Sequence, residues 1–368
     1  MIRLGLVGLG KMGISHLSIA GAHPGIEIAG VCDANIILLD TLKKQTGVAT
    51  YSSLPKMIED AKLDAVLIAT PSKLHGPMVR AALEANLHVF CEKPFCLDLA
   101  EGEALAALAE QRGLVNQVGY HYRFVAAFEE ARRLLAAGAI GKVHSFRVEA
   151  YGPVVLRPKG STWRSSKSEG GGCLYDYASH AIDLVNYTIG TPGRVGGTVL
   201  NRIFSRDVDD EVYATFYLED GITGQLAANW SDESFRKMST KLTVWGTGGR
   251  INADRQEVQI YLRDKPTEPG LVQGWNTRYT TDLTQPVDFY LRGEEYSAQL
   301  AHFVECIERS AVARCSFAEA AKTDRIAAMM IADSEAQAAT PDSPAPVASA
   351  PRSRPGLLDR VRQLARGA

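Results

Sequence analysis

Two side chains four residues apart have the chemistry needed to move a proton. Asp176 and His180 follow three consecutive glycines, 170 to 172, in a stretch with helical patterning. Residues at this spacing lie on the same face of a helix, which predicts that a carboxylate and an imidazole converge on one substrate oxygen. Histidine is the side chain whose ordinary pKa suits proton transfer near neutral pH. A helix-surface Asp-His pair without catalytic use is the alternative.

A lysine at the end of an apolar run is the second candidate for chemistry. Lys93 lies in Cys91-Glu92-Lys93-Pro94, directly after a buried strand pattern. Open α/β sheets bind ligands outside the carboxyl ends of their strands, where Glu92 and Lys93 emerge. Pro94 favours extended geometry at the lysine and so fixes the direction of the ammonium, which can donate to a substrate hydroxyl. A surface ion pair at a strand end is the alternative.

A glycine-rich loop follows the first apolar run of the chain. Its sequence is Gly8-Leu9-Gly10-Lys11-Met12-Gly13, and a helical stretch comes next. The first glycine allows a tight turn, the second lets the backbone approach a pyrophosphate, and the third lets helix and strand pack closely. The helix N-terminus then faces the anion. We expect a dinucleotide to be bound by Gly8, Gly10, Lys11, Met12 and Gly13.

An acidic residue in the expected place supports this interpretation of the loop. Asp33 ends the second apolar run, 20 residues after Gly13. A carboxylate there accepts hydrogen bonds from ribose hydroxyls and repels a 2′-phosphate. Ala34 and Asn35 supply no arginine for such a phosphate, so NAD is favoured over NADP. A βαβ unit without a nucleotide is the alternative.

Four further residues are candidates for substrate binding. His121 and Arg123 follow the last strand of the first domain, at the expected hinge, where either could equally be a buried boundary residue. Trp163 and Arg164 lie in a polar loop and suit sugar stacking and hydroxyl binding, although a loop tryptophan is as often a lid or subunit contact. The same loop carries further cations that suit an acidic or phosphorylated substrate, such as a nucleotide sugar: Arg157, Lys159 and Lys167.

The composition excludes several classes of protein. The chain has 368 residues, with 40 basic and 42 acidic side chains and a formal net charge of -2. A dedicated nucleic-acid-binding protein needs a basic surface, so we do not expect this chain to bind nucleic acid. The apolar runs are too short to span a membrane, and the first residues leave no room for a signal peptide. The 6 cysteines include no CxxC pair, which favours reduced thiols in a cytoplasmic protein.

Short strands alternate with helical patterns in residues 1 to 120. This pattern is typical of a doubly wound parallel sheet covered on both faces, a Rossmann-type domain. The predicted strands are Ile2 to Val7, Ile26 to Val31, Ala65 to Ala69, Val89 to Cys91 and Leu114 to Val118, with helices over 74 to 86 and 99 to 112.

Residues 121 to 338 have a different organisation. A helix over 124 to 137, a strand over 143 to 151 and a helix over 174 to 189 precede a succession of runs with period-2 character, at 194 to 205, 211 to 218, 223 to 230, 240 to 245 and 257 to 263. Strands without intervening helices predict an α+β domain with an open, largely antiparallel sheet. Two helices, over 294 to 310 and 317 to 338, close it. Residues 339 to 368 are rich in Pro and Ala and predict a linker with a short basic amphipathic tail, for which a frayed terminus is the alternative.

The ordered series of motifs over residues 1 to about 338 resembles the Gfo/Idh/MocA family of oxidoreductases. It comprises the glycine loop, Ala69-Thr70-Pro71 with His75, Glu92-Lys93-Pro94, Tyr122-Arg123-Phe124, and the triple glycine before Asp176 and His180. The resemblance implies that Thr70, Pro71, His75 and Glu92 line the cofactor. It also implies a homodimer or homotetramer that assembles through the second sheet.

The same resemblance implies the reaction. Lys93, Asp176 and His180 match the family's catalytic trio, for reversible oxidation of a secondary alcohol on a sugar, cyclitol or nucleotide sugar. His180 then takes the hydroxyl proton, Lys93 donates to the same oxygen, and Asp176 orients the site. No metal is expected, since the sequence holds neither HExxH nor a cysteine cluster. Two alternatives remain open: a glycoside hydrolase that retains NAD, and a catalytically silent ligand sensor.

Overall fold

The N-terminal part of the chain folds into one parallel sheet of six strands. The structure, a computed structural model, describes residues 1–157, 163–266 and 268–339. The six strands are β1 (Ile2–Val7), β2 (Ile26–Cys32), β3 (Thr50–Tyr51), β4 (Ala65–Ile68), β5 (His88–Cys91) and β6 (Asn116–Val118). They pair in the order β3-β2-β1-β4-β5-β6. The intervening helices are α1 (Lys11–Ala22), α2 (Ile36–Thr46), α3 (Leu54–Ala61), α4 (His75–Glu84) and α5 (Leu99–Gln111).

Central strand β4 shows why this sheet is covered on both faces. All four of its residues are buried. Val66 and Ile68 belong to one apolar cluster, whereas Ala65 and Leu67 belong to another. Successive side chains of a strand point to opposite faces, so a continuous apolar run requires helices on both sides. The predicted doubly wound α/β class is confirmed.

A second, mixed sheet of eight strands dominates the remainder of the chain. Its strands are β7 (Val143–Tyr151), β8 (Arg194–Asn201), β9 (Glu211–Tyr217), β10 (Thr223–Asn229), β11 (Ser239–Gly246), β12 (Gly249–Ala253), β13 (Glu257–Leu262) and β14 (Gly274–Tyr279). They pair in the order β14-β13-β12-β11-β7-β10-β9-β8. The β7–β10 pair is parallel and the other neighbouring pairs are antiparallel, as the sequence predicts.

In the part of the chain that the structure describes, five α-helices follow the first domain. They are α6 (Ala126–Ala136), α7 (Ser179–Thr188), α8 (Thr280–Leu283), α9 (Glu294–Arg309) and α10 (Phe317–Ala338). A π-helical turn, Leu174–Ala178, leads directly into α7. Residues of α6, α7 and α10 pack with the inward-facing strand residues in one apolar cluster. The opposite face of the sheet exposes aromatic side chains, among them Tyr213, Tyr261 and Trp275.

Three strands were not expected from the sequence, namely β3, β12 and β14. β3 has only 2 residues, and β12 begins on a glycine. β14 is an edge strand whose residues alternate between half-buried and exposed, so it has no apolar run to reveal it. The strand predicted over 194 to 205 ends at Asn201 and contains an irregularity between Gly196 and Val199.

The last two helices return to the first sheet. The ring of Phe303 in α9 packs 5.8 Å from that of Phe90 in β5, and Phe317 of α10 stacks 4.3 Å from Phe95. The predicted second domain therefore completes both faces of the first. Beyond residue 339, the predicted tail lies outside the described residues.

The cysteines contribute to these cores. All six are buried and free.

In the part of the chain that the structure describes, no helix combines the length and apolar character needed to cross a membrane.

Arg123 joins the hinge to the second domain. The Nη2 group of its buried guanidinium donates to the Asp183 Oδ1 carboxylate oxygen of α7 at 2.7 Å, and Nη1 donates to the backbone oxygen of Arg314 at 2.6 Å. Both paired side chains are 1% exposed. The hypothesis that Arg123 binds substrate is therefore wrong, because its donors are occupied inside the protein. The alternative of a buried boundary residue describes it correctly.

We expect Arg123→Met to lower the free energy of unfolding by about 3–5 kcal/mol, since Asp183 would remain as a buried, unpaired charge. Arg325→Met is the matched control. That side chain pairs with Glu103 at the surface, and losing such a pair changes stability by about 1 kcal/mol or less. Urea unfolding of both variants measures the difference, and equal stabilities would contradict the assigned role of Arg123.

Candidate active site

The glycine loop between β1 and α1 is closed by contacts that tolerate no side chain at two of its positions. Gly8 has φ +95, and a Cβ there would lie 2.7 Å from the backbone oxygen of Ala69. A Cβ on Gly13 would lie 1.8 Å from the backbone oxygen of Gly8. A Cβ on Gly10 would meet nothing within 4 Å, so the loop backbone is open to a ligand there. This is the arrangement that lets a backbone approach a pyrophosphate.

The start of α1 and the end of β2 complete this half of the site. Gly10 caps α1 and supplies no side chain to the first N–H groups, which leaves the helix start suited to bind an anion. Asp33 Oδ2 accepts from the Leu9 amide at 2.6 Å, and Oδ1 accepts from the Asn35 amide at 2.7 Å. The carboxylate is thus held beside the loop with further acceptor capacity for ribose hydroxyls. These residues fit a nicotinamide dinucleotide.

The other predicted cofactor segments are braced by a buried histidine. His75 lies between two backbone oxygens, with Nδ1 2.8 Å from Pro94 and Nε2 3.0 Å from Thr70. It is 1% exposed, and burial lowers its pKa. Both ring nitrogens face the protein, which leaves neither for a hydrogen bond to a cofactor, and cofactor contact by His75 stays a prediction. It holds the Thr70-Pro71 segment against the segment after β5.

Glu92 is ionised although it is buried. Its Oε1 lies 2.6 Å from Nε2 of His16 in α1. Burial opposes ionisation, but the hydrogen bond from His16 and the charge of Lys93 outweigh it and lower the pKa of Glu92. Glu92 therefore links the end of β5 to the helix that begins at the glycine loop.

One cavity of about 560 Å³ brings the two halves of the protein together. The first domain contributes Lys11 and Met12 from the start of α1, together with Glu92 and Lys93. The second domain contributes the π-helical turn and α7, through Asp176 and His180. The remaining lining residues are His121, Tyr122, Pro153, Val154, Arg164, Tyr177, Arg236, Lys237, Met238, Arg255, Arg292 and Tyr296.

An ion pair crosses this cavity wall from one domain to the other. Lys93 Nζ donates to Asp176 Oδ1 at 3.0 Å and to the Asp176 backbone oxygen at 2.9 Å. Arg164 Nε donates to Asp176 Oδ2 at 3.0 Å. Burial raises the pKa of Asp176, but the two cations outweigh burial and the net shift is downward. Asp176 is thus an anion whose two oxygens already hold protein cations, rather than one directed at a substrate oxygen.

Small residues and a buried carboxylate set the position of Asp176. A Cβ on Gly171 would lie 2.4 Å from the backbone oxygen of Arg164, so the glycine lets the polar loop pack against the π-helical turn. Asp209 Oδ2 accepts from the Leu174 amide at 2.6 Å, at the first residue of that turn. Burial raises the pKa of Asp209 to about 6. Gly171 is therefore required by packing.

His180 presents a neutral imidazole to the cavity. It is 4% exposed, and its Nδ1 has no hydrogen-bond partner among the described residues. Its ring centroid lies 4.8 Å from that of His121 and 5.2 Å from that of Tyr122. Burial, followed by the charge of Lys93, lowers the pKa of His180 well below its usual value. A neutral ring at physiological pH is able to accept a proton.

The substrate-binding candidates have different positions. His121 lines the cavity and stacks on Tyr296, with centroids 4.6 Å apart. Arg164 reaches the cavity, whereas Trp163 is 38% exposed and packs on the Arg164 guanidinium outside the cavity lining. Trp163 thus supports Arg164 rather than the cavity surface.

The basic loop contributes little else to the site. Lys167 lies 4.0 Å from Glu335 at the surface, away from the cavity. Arg157 does not line the cavity either, and Lys159 lies outside the described residues.

Sequence reasoning missed the cations that the second domain supplies. Arg236 and Lys237 precede β11, Arg255 lies between β12 and β13, and Arg292 precedes α9. None belongs to a recognisable motif, and they converge only in the tertiary fold. Among the residues that the structure describes, no group of three or more His, Cys, Asp or Glu side chains is arranged to hold a metal ion.

Two family models match the chain. Residues 2–120 match the model described as "Oxidoreductase family, NAD-binding Rossmann fold", named GFO_IDH_MocA. Residues 128–252 match the model of the GFO/IDH/MocA C-terminal domain.

Several known proteins are similar over most of their length. Scyllo-inositol 2-dehydrogenase (NAD(+)) of Bacillus subtilis is 29% identical over 83% of this chain and 86% of its own. Myo-inositol 2-dehydrogenase of Thermotoga maritima is 27% identical over 73% of this chain and 80% of its own. A solved structure of levoglucosan dehydrogenase in complex with NADH has a TM-score of 0.82 and 25% identity, covering 91% of this chain and 97% of its own.

We expect Gly13→Ala to weaken NAD binding at least about tenfold, because the added Cβ must push the glycine loop away from α1. Gly21→Ala in the same helix is the matched control. A Cβ there meets nothing within 4 Å, so NAD affinity should be kept and stability should rise by up to about 1 kcal/mol. Calorimetric titration with NAD measures both, and unchanged affinity in Gly13→Ala would refute this account of the loop.

Proposed function

The chain belongs to the GFO/IDH/MocA family of NAD-binding oxidoreductases, and on this premise we propose that it reversibly oxidises a secondary alcohol of a sugar, cyclitol or nucleotide sugar. One observation carries the proposal. The start of α1 shares a single cavity with Lys93, Asp176 and His180. An alcohol in that cavity therefore contacts the acid-base residues and the dinucleotide site at the same time.

The substrate class rests on the relatives. They include inositol dehydrogenases and a levoglucosan dehydrogenase, whose substrates are polyhydroxy rings. The lining of this cavity suits such a compound, since it combines hydrogen-bond donors and acceptors with aromatic rings such as Tyr122 and Tyr296. When bound, the nicotinamide ring supplies the acceptor for the hydride of the alcohol carbon.

The protein's own residues handle the proton. His180, neutral in the buried cavity, takes the proton of the reacting hydroxyl. Lys93 donates a hydrogen bond to the same oxygen and stabilises the negative charge that develops there. Asp176 accepts from Lys93 at 3.0 Å and so aims the ammonium. In the reverse direction His180 returns the proton to the oxygen.

The exposed face of the eight-stranded sheet supports assembly. Its outward-facing aromatic residues include Tyr213, Tyr261 and Trp275, which are 37%, 40% and 52% exposed. Exposed aromatic surface of this kind marks interaction sites in soluble domains. We propose that two or four copies associate through this face.

We expect Lys93→Met and His180→Asn to lower kcat by about 10²–10⁴-fold while NAD still binds. Lys73→Met is the matched control, because that lysine pairs with Glu169 outside the cavity. NADH formation with scyllo-inositol, myo-inositol and levoglucosan gives the rates. An unchanged kcat in both cavity variants would contradict the roles assigned to Lys93 and His180.

The same assay tests whether the reaction is a net oxidation. Accumulation of NADH in step with product supports a dehydrogenase. Turnover without NADH accumulation would instead favour the hydrolase alternative, in which oxidation is transient.

A pH profile tests the state of His180. Its pKa is lowered well below 6.5, so the neutral base persists as the pH falls through 6.5. The kcat/KM for alcohol oxidation should therefore stay level between about pH 8 and 6.5 and decline only at lower pH. An acid limb with an apparent pKa at or above the usual histidine value would contradict this assignment.

A further inference from the structure

The cavity carries more positive than negative charge. Its lining includes seven Lys or Arg side chains and two carboxylates, Glu92 and Asp176. Glu92 is engaged by His16, and Asp176 is engaged by Lys93 and Arg164. The carboxylates therefore leave most of the cations without compensation.

Four of the seven cations have a carboxylate partner or lie beside the dinucleotide loop, and three remain. Lys11 lies at the start of α1, beside the dinucleotide loop. Lys93 and Arg164 hold Asp176, and Arg255 pairs with buried Glu295. The remaining three lie on the side of the cavity that the second domain forms. They are Arg236, Lys237 and Arg292, and within the described chain none has a carboxylate oxygen within 4.0 Å.

Arg292 is held in an unusual backbone conformation near the catalytic ring. Its φ is 68, in the left-handed region that residues with a side chain rarely adopt. Its guanidinium lies 5.5 Å from the ring centroid of Tyr296. Tyr296 stacks on His121, whose ring is 4.8 Å from that of His180. Strained residues of this kind are concentrated at ligand sites.

The positive charge also acts on the buried imidazoles. Burial lowers the pKa of His121, and the charges of Arg255, Lys93 and Arg292 lower it further. Because His121 itself is buried, these interactions act on it more strongly than they would in water. An anion bound among the unpaired cations would relieve this repulsion, whereas a neutral polyol would leave them uncompensated.

Building on the dehydrogenase function proposed above, we propose that the substrate is anionic: a sugar or cyclitol that carries a carboxylate or phosphate, held by Arg236, Lys237 and Arg292. Guanidinium groups bind the oxygens of both anions in a bidentate manner, and a lysine adds a compact charge. Lys237 and Arg255 also line an adjoining cavity of about 510 Å³. The anion can therefore carry a further substituent, such as the nucleoside of a nucleotide sugar.

The test compares neutral and anionic ligands on the NAD-loaded enzyme. The probes are D-glucose, D-glucuronate, D-glucose 6-phosphate, UDP-glucose and inorganic phosphate, titrated by calorimetry. We expect at least one anionic sugar to bind about tenfold or more tightly than D-glucose, with the preference reduced in about 0.5 M salt. Carboxylate, phosphate monoester and nucleotide diphosphate are distinguished by which probe binds best.

Arg236→Gln and Arg292→Gln should each weaken binding of the anionic ligands about tenfold more than they weaken binding of D-glucose. Arg325→Gln, at the surface beside Glu103, is the charge-matched control and should alter neither. Equal affinity for neutral and anionic probes, failure of every anionic probe to bind, or unchanged binding in both cavity variants would overturn the inference.

The outcome separates this inference from the function beneath it. Rapid NADH formation from neutral polyols, insensitive to Arg236→Gln and Arg292→Gln, would overturn the anionic substrate and leave the dehydrogenase standing. Arginine-dependent binding of anions without NADH formation from any anionic or neutral probe would support the anion site and count against the dehydrogenase.

Discussion

The ion pair between Lys93 and Asp176 joins the two domains at the cavity that they share. The lysine leaves the end of β5 in the first sheet, and the aspartate lies on the π-helical turn before α7. Their side chains are only 14% and 11% exposed. Removing two charges from water is unfavourable unless each is fully engaged, so the surrounding structure must supply further partners. Arg164 and the Asp176 backbone oxygen are those partners.

Several local features of the chain follow from this requirement. Gly171 has no Cβ, which lets the loop that carries Arg164 approach the turn. The Asp209 carboxylate holds the first amide of the turn. Because Asp176 already pairs with two cations, it does not stabilise a protonated His180. The imidazole therefore remains uncharged in a positively charged cavity. The electrostatic state of the site is therefore set by packing at the glycines as much as by the ionisable groups.

The parts that the sequence predicted well are those determined by neighbouring residues. The glycine loop, Asp33 and the strand pattern depend on contacts within one βαβ unit, so spacing reveals them. The family and the NAD cofactor predicted from these motifs are confirmed. Arg123 was misassigned because its partner Asp183 is 60 residues away in the chain, and no local pattern announces a buried pair. Arg236 and Arg292 were missed for the same reason, since only the tertiary fold brings them to the cavity.

The return of α9 and α10 to the first sheet bears on the order in which the protein can form during synthesis. Leu300 and Phe303 fill one face of the Rossmann sheet, and the Cys315 backbone oxygen accepts from the amide of Val118 in its edge strand at 2.8 Å. The dinucleotide-binding half leaves the ribosome first but stays without part of its core until the last third of the chain has followed. During that interval Phe90 and the open edge of β6 are exposed to other chains, a situation in which chaperones bind nascent proteins. The two halves thus mature together, although the first contains all the motifs needed to bind its cofactor.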